Sequence, residues 1–308
     1  MNKKIILVII SFVIIFFIVI PLVVPASDSN NTKIERLNNG TFLKIYDAPK
    51  TIQIKNDTIY ITPKGIDEGT QTIVIPVSEL LFRHTYHLNS DNSINYSEIS
   101  PEPKYTELYH KIGLYNSSKK IVFVYPIFTQ TAYEKNGFYD YYSGNCDSSC
   151  LTAKIMYDEH GRYTSSIRAA AVLTLLNYSY ITDVDIDKNP DILKRYDRVI
   201  MLHNEYVTKR EFDAVTQHPD VIYLFANALY AEVKVDYNSN TITLVRGHGY
   251  PDASTKNGFD WKFDNTPDEY DNLCNNWNFT NIDNGKMLDC YPSFRLFYDK
   301  KLLESLKN

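Results

Sequence analysis

The chain has 308 residues and a net charge of −5, with a pI near 5.8. Its acidic balance argues against a nucleic-acid partner, which would need a basic stripe, and no Lys/Arg run occurs beyond the N-terminus. With 11 glycines and neither GxGxxG nor GxxxxGK, a nucleotide-binding loop is not expected either.

The N-terminus reads "MNKKIILVIISFVIIFFIVIPLVVPAS", with Lys3 and Lys4 ahead of an apolar run over residues 5–24. A run of ~20 apolar residues matches the hydrocarbon core of a bilayer. A cleaved signal peptide is the alternative, since Val24 and Ala26 satisfy the small-residue pattern, although its apolar region is ordinarily only ~7–15 residues. Residues 1–24 are therefore expected to be a transmembrane anchor. The two lysines would hold the N-terminus in the cytoplasm and leave the rest extracytoplasmic, a single-pass cell-membrane protein. Two features agree with export. Asn-X-Ser/Thr sequons stand at Asn30, Asn39, Asn56, Asn95, Asn116, Asn177 and Asn278. The four cysteines, Cys146, Cys150, Cys274 and Cys290, suit two disulfides, with Cys146–Cys150 and Cys274–Cys290 favoured by closeness in sequence. Cys-x3-Cys is near zinc-ligand spacing, but no second close pair or nearby histidine supports that use.

Residues 25–40 are poor in apolar side chains and are expected to be a linker. Over 41–115 the pattern becomes period two, in "TFLKIYDA", "TIQIKNDTIYITPKG" and "TQTIVIPVSEL". This predicts a small antiparallel β-region with turns at Asn56-Asp57 and Lys64-Gly65, interrupted by polar loop sequence over 88–103. Residues 116–250 follow another grammar. "KIVFVYPIFT" is a continuous apolar run of the kind buried on both faces of a sheet. "LTAKIMYD", "YITDVDI", "DRVIMLHN" and "VIYLFANAL" can supply further strands. Helices are expected at "SSIRAAAVLTLLNYS", "NPDILKRY" and "TKREFDAVTQHP", with Pro190 near a first helical position. Strands alternating with helices imply a doubly wound, flavodoxin-like parallel α/β sheet. "AEVKVDYNSNTITLVRG" then reads as a terminal hairpin, and residues 251–308 as a disulfide-held extension packed on the core.

In such a sheet ligands bind beyond the carboxyl ends of the strands. The candidates there are Tyr133 with the cluster Tyr139 to Tyr142, then His203, Asn204, Glu205 and Tyr206, then Asn227 and Tyr230. His203 and Glu205 are two residues apart, so in extended chain they share a face. The alternative is that Glu205 caps the helix starting near Thr208. Asp183, Asp185 and Asp187 alternate as on a strand edge, either a divalent-cation edge or a solvated face. Arg246 and His248 read as parts of a glycine-flanked turn. No GxSxG or GxCxG elbow is present.

The stretch 196–233, with His203, Glu205, Tyr206, Asn227, Tyr230 and Val233 in an H-x-E-Y … N-x-x-Y-x-x-V pattern, resembles the C-terminal catalytic region of N,N-dimethylformamidase large-subunit-like proteins. Those lie within the class I glutamine amidotransferase-like α/β superfamily. Upstream, "TQTAYEKNGFYDYY" is similar to the family's Tyr- and Gly-bearing segment, matching Tyr133 and Gly137. The resemblance implies a mononuclear iron cofactor with Glu205 as carboxylate ligand and Tyr133 as one phenolate ligand. It leaves the second tyrosine unplaced. Phenolate and carboxylate oxygens are hard donors suited to a ferric Lewis acid. Sharing an ion would require Tyr133 and Glu205 oxygens within about 5 Å of each other, given metal–oxygen distances near ~2.0–2.2 Å. Val207 stands where the family has tryptophan, and His218-Pro219-Asp220 replaces a glycine pair. The expectation is hydrolysis of a C–N bond in a small amide, with Glu205, His203 and Asn227 in catalytic roles. The alternative is a non-catalytic surface module binding a partner on the same fold.

Overall fold

The computed structural model describes residues 34–36, 43–45, 51–62, 72–91, 94–157, 166–270 and 272–308. The expected anchor at 1–24, the cleavage pattern at Val24 and Ala26, and the turn at Lys64-Gly65 lie outside them. Among the described residues no helix is long and apolar enough to cross a membrane.

The N-terminal region is antiparallel, as the alternation predicts. Strands β1 (Ile34–Arg36), β2 (Leu43–Ile45), β3 (Thr51–Lys55), β4 (Thr58–Thr62), β5 (Ile73–Pro76), β6 (Phe82–Leu88) and β7 (Ile94–Pro101) form two sheets, ordered β1-β2-β7-β6 and β3-β4-β5. Asn56 and Asp57 take φ of 48° and 55°, the two left-handed residues of a tight turn joining β3 to β4. Two expectations change here. β1 lies inside the expected linker and pairs with β2, and the polar stretch 88–103 is mostly β7, paired along β6. Ile99 within it is fully buried, so the strand has a buried side although its sequence is largely polar. Helix α1 (Thr106–Ile112) follows.

The C-terminal region is built on β8 (Ile121–Tyr125), α2 (Ile127–Tyr133), α3 (Phe138–Tyr142), β9 (Thr152–Lys154), α4 (Ser166–Leu175), β10 (Ser179–Thr182) and α5 (Asp183–Lys188). It continues through β11 (Arg198–Met201), β12 (Tyr206–Thr208), α6 (Lys209–Gln217), β13 (Val221–Tyr223), β14 (Ala231–Asp236) and β15 (Thr241–Arg246). It ends with β16 (Phe279–Ile282), β17 (Gly285–Leu288) and α7 (Lys300–Lys307). The main sheet is ordered β10-β8-β11-β13-β17-β16, parallel throughout except for the β16 edge. Counted in chain order, its five parallel strands run 2-1-3-4-5.

The continuous apolar runs are explained by two cores. Along β8, Ile121, Phe123 and Tyr125 enter one cluster with α4 and α7, whereas Val122 and Val124 enter another with Ile186 of α5 and Val215 of α6. Helices therefore cover both faces, and neither face of a central strand can carry polar residues. The N-terminal sheets share the first core through Ile59, Ile75, Phe82 and Ile99.

Three further expectations are corrected. "LTAKIMYD" gives β9, which pairs antiparallel with β15 in a separate sheet ordered β12-β14-β15-β9, not a strand of the parallel sheet. "YITDVDI" stops being a strand at Thr182. The Thr182 hydroxyl accepts from Asp185 N, and Asp185 accepts from Thr182 N, a reciprocal cap that starts α5. Asp183, Asp185 and Asp187 are thus helical and form neither a strand edge nor a solvated strand face, with Asp183 and Asp187 buried. Finally, the expected extension inserts β17 into the parallel sheet, with Gly285 to Met287 opposite Val221 to Tyr223. The disulfides join Cys146 to Cys150 and Cys274 to Cys290, so no cysteine is free to hold zinc. Two disulfides mark the domain as one made for an oxidising, extracellular or secreted setting.

Candidate active site

The chain leaves the main sheet after Met201, passes through Leu202 to Glu205, and enters the second sheet at β12. This crossing puts His203, Asn204 and Glu205 between two sheets, at the carboxyl edge of the first. The second crossing, between β13 and β14, lies alongside: Leu229 N donates to Asn204 O at 2.8 Å, and Tyr230 N and Ala231 N donate to Glu205 O at 2.9 Å each. Leu229 takes a φ of 58° there. His203 N donates to Ser166 Oγ at 2.9 Å, and its ring stacks on Phe225 with centroids 5.4 Å apart. Backbone on three sides thus fixes where the Glu205 side chain can go.

That side chain is fully buried. Helix α6 has no need of it, because the Thr208 hydroxyl accepts from Glu211 N at 3.1 Å and caps the helix itself. Instead Tyr133 Oη donates to Glu205 Oε2 at 2.8 Å. Tyr139 Oη lies 2.7 Å from Tyr133 Oη and 3.1 Å from Glu205 Oε1. The approach within 5 Å needed for a shared ion is therefore met, and a second tyrosine, Tyr139, lies beside the same carboxylate. Tyr133 and Tyr139 stack with centroids 4.0 Å apart. They come from α2 and α3, which meet at a tight corner: a Cβ on Gly137 would lie 2.5 Å from Ala132 O, so only glycine fits.

Helix α2 is held from a distance. Its first turn exposes amides with no partner of their own, and Asp183, at the end of β10, accepts from Phe128 N at 2.8 Å. Thr129 Oγ1 accepts from Tyr206 N at 3.0 Å, tying the same helix to β12. Tyr206, fully buried, closes the wall edge-on to Tyr139 at 6.4 Å.

Two histidines complete the cluster. His203 Nε2 lies 3.5 Å from Glu205 Oε2. His248 Nε2 lies 2.5 Å from Glu205 Oε1, while its Nδ1 lies 2.8 Å from Glu269 Oε1. Tyr230 Oη donates to the other Glu269 oxygen at 3.0 Å. The turn expectation for His248 is thus only half of the matter: Arg246 does serve the loop, pairing with Asp260 at 2.7 Å, but His248 points inward. Burial by itself would depress the His248 imidazolium, yet Glu205 and Glu269 outweigh it and lift its pKa to about 9. Burial would raise the Glu205 carboxyl, but the His248 charge holds it below its ordinary value. Burial, then the Glu205 charge, pushes the phenols of Tyr139 and Tyr142 upward. Phenols raised in this way stay protonated unless a cation is present.

Asn227 stands on the neighbouring crossing, almost fully buried, its Oδ1 without a hydrogen-bond partner among the described residues. His203, Glu205 and Tyr133 come together as the motif spacing implies. His248 and Glu269 were missed, and the one available signal was a histidine between two glycines.

The model of the family described as N,N-dimethylformamidase beta subunit-like, C-terminal, matches residues 109–275, more than half of the chain. The chain belongs to this family. The match bears out the resemblance read from the H-x-E-Y segment, with the beta subunit named in place of the large one, and it spans every residue of the Glu205 cluster. No curated protein matches the chain. Among the described residues, no group of three or more His, Cys, Asp and Glu side chains is disposed to hold a metal ion. Around the Glu205 carboxylate the close contacts are His248 Nε2 at 2.5 Å and the phenol oxygens of Tyr133 and Tyr139 at 2.8 and 3.1 Å.

Proposed function

We propose that this member of the N,N-dimethylformamidase beta subunit-like family is a membrane-anchored, extracytoplasmic amidohydrolase. It cleaves the C–N bond of a small amide, using iron held by Tyr133, Tyr139 and Glu205. The observation that carries the reading is the meeting of two phenols on one carboxylate: Tyr133 Oη lies 2.7 Å from Tyr139 Oη and 2.8 Å from Glu205 Oε2, and Tyr139 Oη lies 3.1 Å from Glu205 Oε1. Ligands about 2.0–2.1 Å from one ion are about 2.8–3.0 Å from one another when adjacent, and the Tyr139–Tyr133 and Tyr133–Glu205 Oε2 contacts are close to that spacing. Hard phenolate and carboxylate donors also suit ferric iron.

When bound, the ion would polarise the amide carbonyl and acidify water. The chain's own residues supply the remainder. The half-buried phenols of Tyr133 and Tyr139 and the buried Tyr206 ring wall the site, Asn227 carries an unpaired carbonyl that can accept from the N–H of the departing amine, and His203 stands where it can carry a proton to that amine. The flavodoxin-like reading of the sheet is supported by the 2-1-3-4-5 order of its parallel strands. Export is supported by the disulfides and by the sequon asparagines Asn56, Asn116, Asn177 and Asn278, all exposed.

The test is iron analysis of the full chain, together with amine release from N,N-dimethylformamide and other small amides. About one iron per chain, lost together with turnover in Glu205→Ala, is the expected result. A wild-type chain that takes up no iron sinks the proposal. One observation favours a second reading, a non-catalytic surface module: His248 already gives Glu205 a cationic partner, so the cluster is satisfied without an ion.

A further inference from the structure

The loop after β15 is shaped in a way that a turn alone does not require. Gly247, His248 and Gly249 have φ of 129°, 51° and 75°, three left-handed residues in succession. A Cβ on Gly247 would lie 2.6 Å from Ala231 Cβ, so the loop is pressed against the start of β14. Glycine adopts such backbone freely, whereas a residue with a Cβ such as histidine adopts it at a cost. Strain of this kind in a side chain aimed at a site is a pointer to function.

The direction of the side chain decides what that function is. The ring is mostly buried, with its side chain 9% exposed, and packs against Tyr230, Tyr206 and Tyr142 at centroid distances of 4.5, 5.5 and 6.0 Å. Its two nitrogens face two carboxylates, Glu205 on one side and Glu269 on the other. Glu269 is itself fixed by the Tyr230 hydroxyl. The result is a line, Glu205–His248–Glu269–Tyr230, in which His248 and Glu269 come from outside the H-x-E-Y … N-x-x-Y pattern that holds the other two. Glu205 has two oxygens and His248 engages only one of them, Oε1. The other, Oε2, faces Tyr133 at 2.8 Å and His203 at 3.5 Å.

We propose that His248, braced by Glu269, is a positioning residue that ties back Glu205 Oε1 and presents Oε2 alone to the metal. The inference rests on the iron-centre reading above and deepens it. His248 touches neither metal nor substrate. It would set which oxygen of Glu205 is offered to the ion, and would thereby keep the other from crowding water and an amide oxygen. A carboxylate released from this hydrogen bond could turn and bind through both oxygens, filling one of those positions. Supporting partners of this kind ordinarily contribute about 10–100-fold in metal affinity.

The test uses the full chain stripped of metal and titrated with ferric iron, following bound iron and the visible tyrosinate-to-iron absorption. Three variants are compared with wild type: His248→Ala, His248→Gln and Glu269→Gln. Expected are a loss of about 10–100-fold in affinity and a shifted band in His248→Ala. His248→Gln, which keeps an N–H for Oε1, should recover most of the affinity and the original band. Glu269→Gln, which leaves the ring in place but weakens its brace, should fall between. Wild-type affinity with an unmoved band in both His248→Ala and Glu269→Gln overturns the proposal while leaving the iron centre standing. A wild-type chain that binds no iron removes both. Should His248→Ala fail to fold, Glu269→Gln reads out the same question.

Discussion

Glu205 and Glu211 lie six positions apart, are both fully buried, and live in opposite electrostatic worlds. Glu205 faces an imidazole and phenol donors, and its carboxyl is held down. Glu211 faces Asp183 and Asp187. Burial first, and then these like charges, push its carboxyl well up, and neither of its oxygens has a hydrogen-bond partner among the described residues. Asp187 is spoken for by Thr208 and Tyr237, at 2.7 Å each, and Asp183 by the α2 amides. A buried carboxyl group must either find a cation or keep its proton. The first solution makes a charged, paired site between the two sheets. The second makes a neutral joint between α5 and α6.

The largest break of this contrast comes from Glu205→Gln. Loss of the anionic ligand should lower kcat/KM for amide cleavage by about 100-fold or more. In the metal-free protein it also leaves His248 without its stronger partner. The His248 pKa should then fall from about 9, as followed by NMR of the ring protons. An unchanged histidine titration would show that Glu269 alone sets it.

The pH dependence of the metal-free chain separates the two glutamates by sign. His248 is raised, so its contribution to stability is complete below its ordinary 6.5 and is lost as pH climbs through about 9. Glu205 is depressed from 4.5, so its contribution is present above that value and lost as pH falls through its lower folded pKa. Glu211 and Asp183 are raised, so their protonated forms stabilise most at low pH and that contribution fades as pH rises. Urea midpoints measured from acid to alkaline pH should therefore lose the carboxyl contribution once pH passes the ordinary values of 3.8 and 4.5, and decline further as pH climbs from 6.5 through about 9. In Glu211→Gln, where an amide replaces the protonated acid, the decline should be shallower.

Asp183→Ala removes the partner of Phe128 N at the start of α2. A cost of about 1–2 kcal/mol is expected, that of a lost helix cap. Because Tyr133 ends the same helix, iron affinity should weaken as well. A variant with lowered stability and unaltered affinity would separate the cap from the site. The smallest effect is expected for Glu211→Gln near pH 5, below about 1 kcal/mol, since amide and protonated acid have nearly the same shape.

Much of the fold was legible because burial on both faces leaves a local trace. "IVFVY" and "RVIM" could only be central strands, and "SIRAAAVLTL" only a packed helix. The Asn56-Asp57 turn and the period of the N-terminal strands were equally local. Other features depended on a weighing of neighbours. The aspartates after Thr182 were taken for a strand edge because their alternation is visible, while the reciprocal Thr182–Asp185 cap that turns them helical was overlooked. β17 was invisible for a different reason: "GKML" has no period of its own, and it becomes a strand only because β13 offers an unpaired edge.

The sequence by itself determined which side chains could do chemistry at the carboxyl edge, since the H-x-E-Y spacing and the end of an apolar run are both local facts. It determined the disulfide pairs as well, through closeness in sequence. Only the tertiary structure decided that Tyr139 is the second phenol beside Glu205, that His248 joins them from a loop more than forty residues away, and that Glu211 does not. The physical reason is that charge on a buried carboxylate is set by what lies within a few ångströms in space, and chain distance carries almost no information about that.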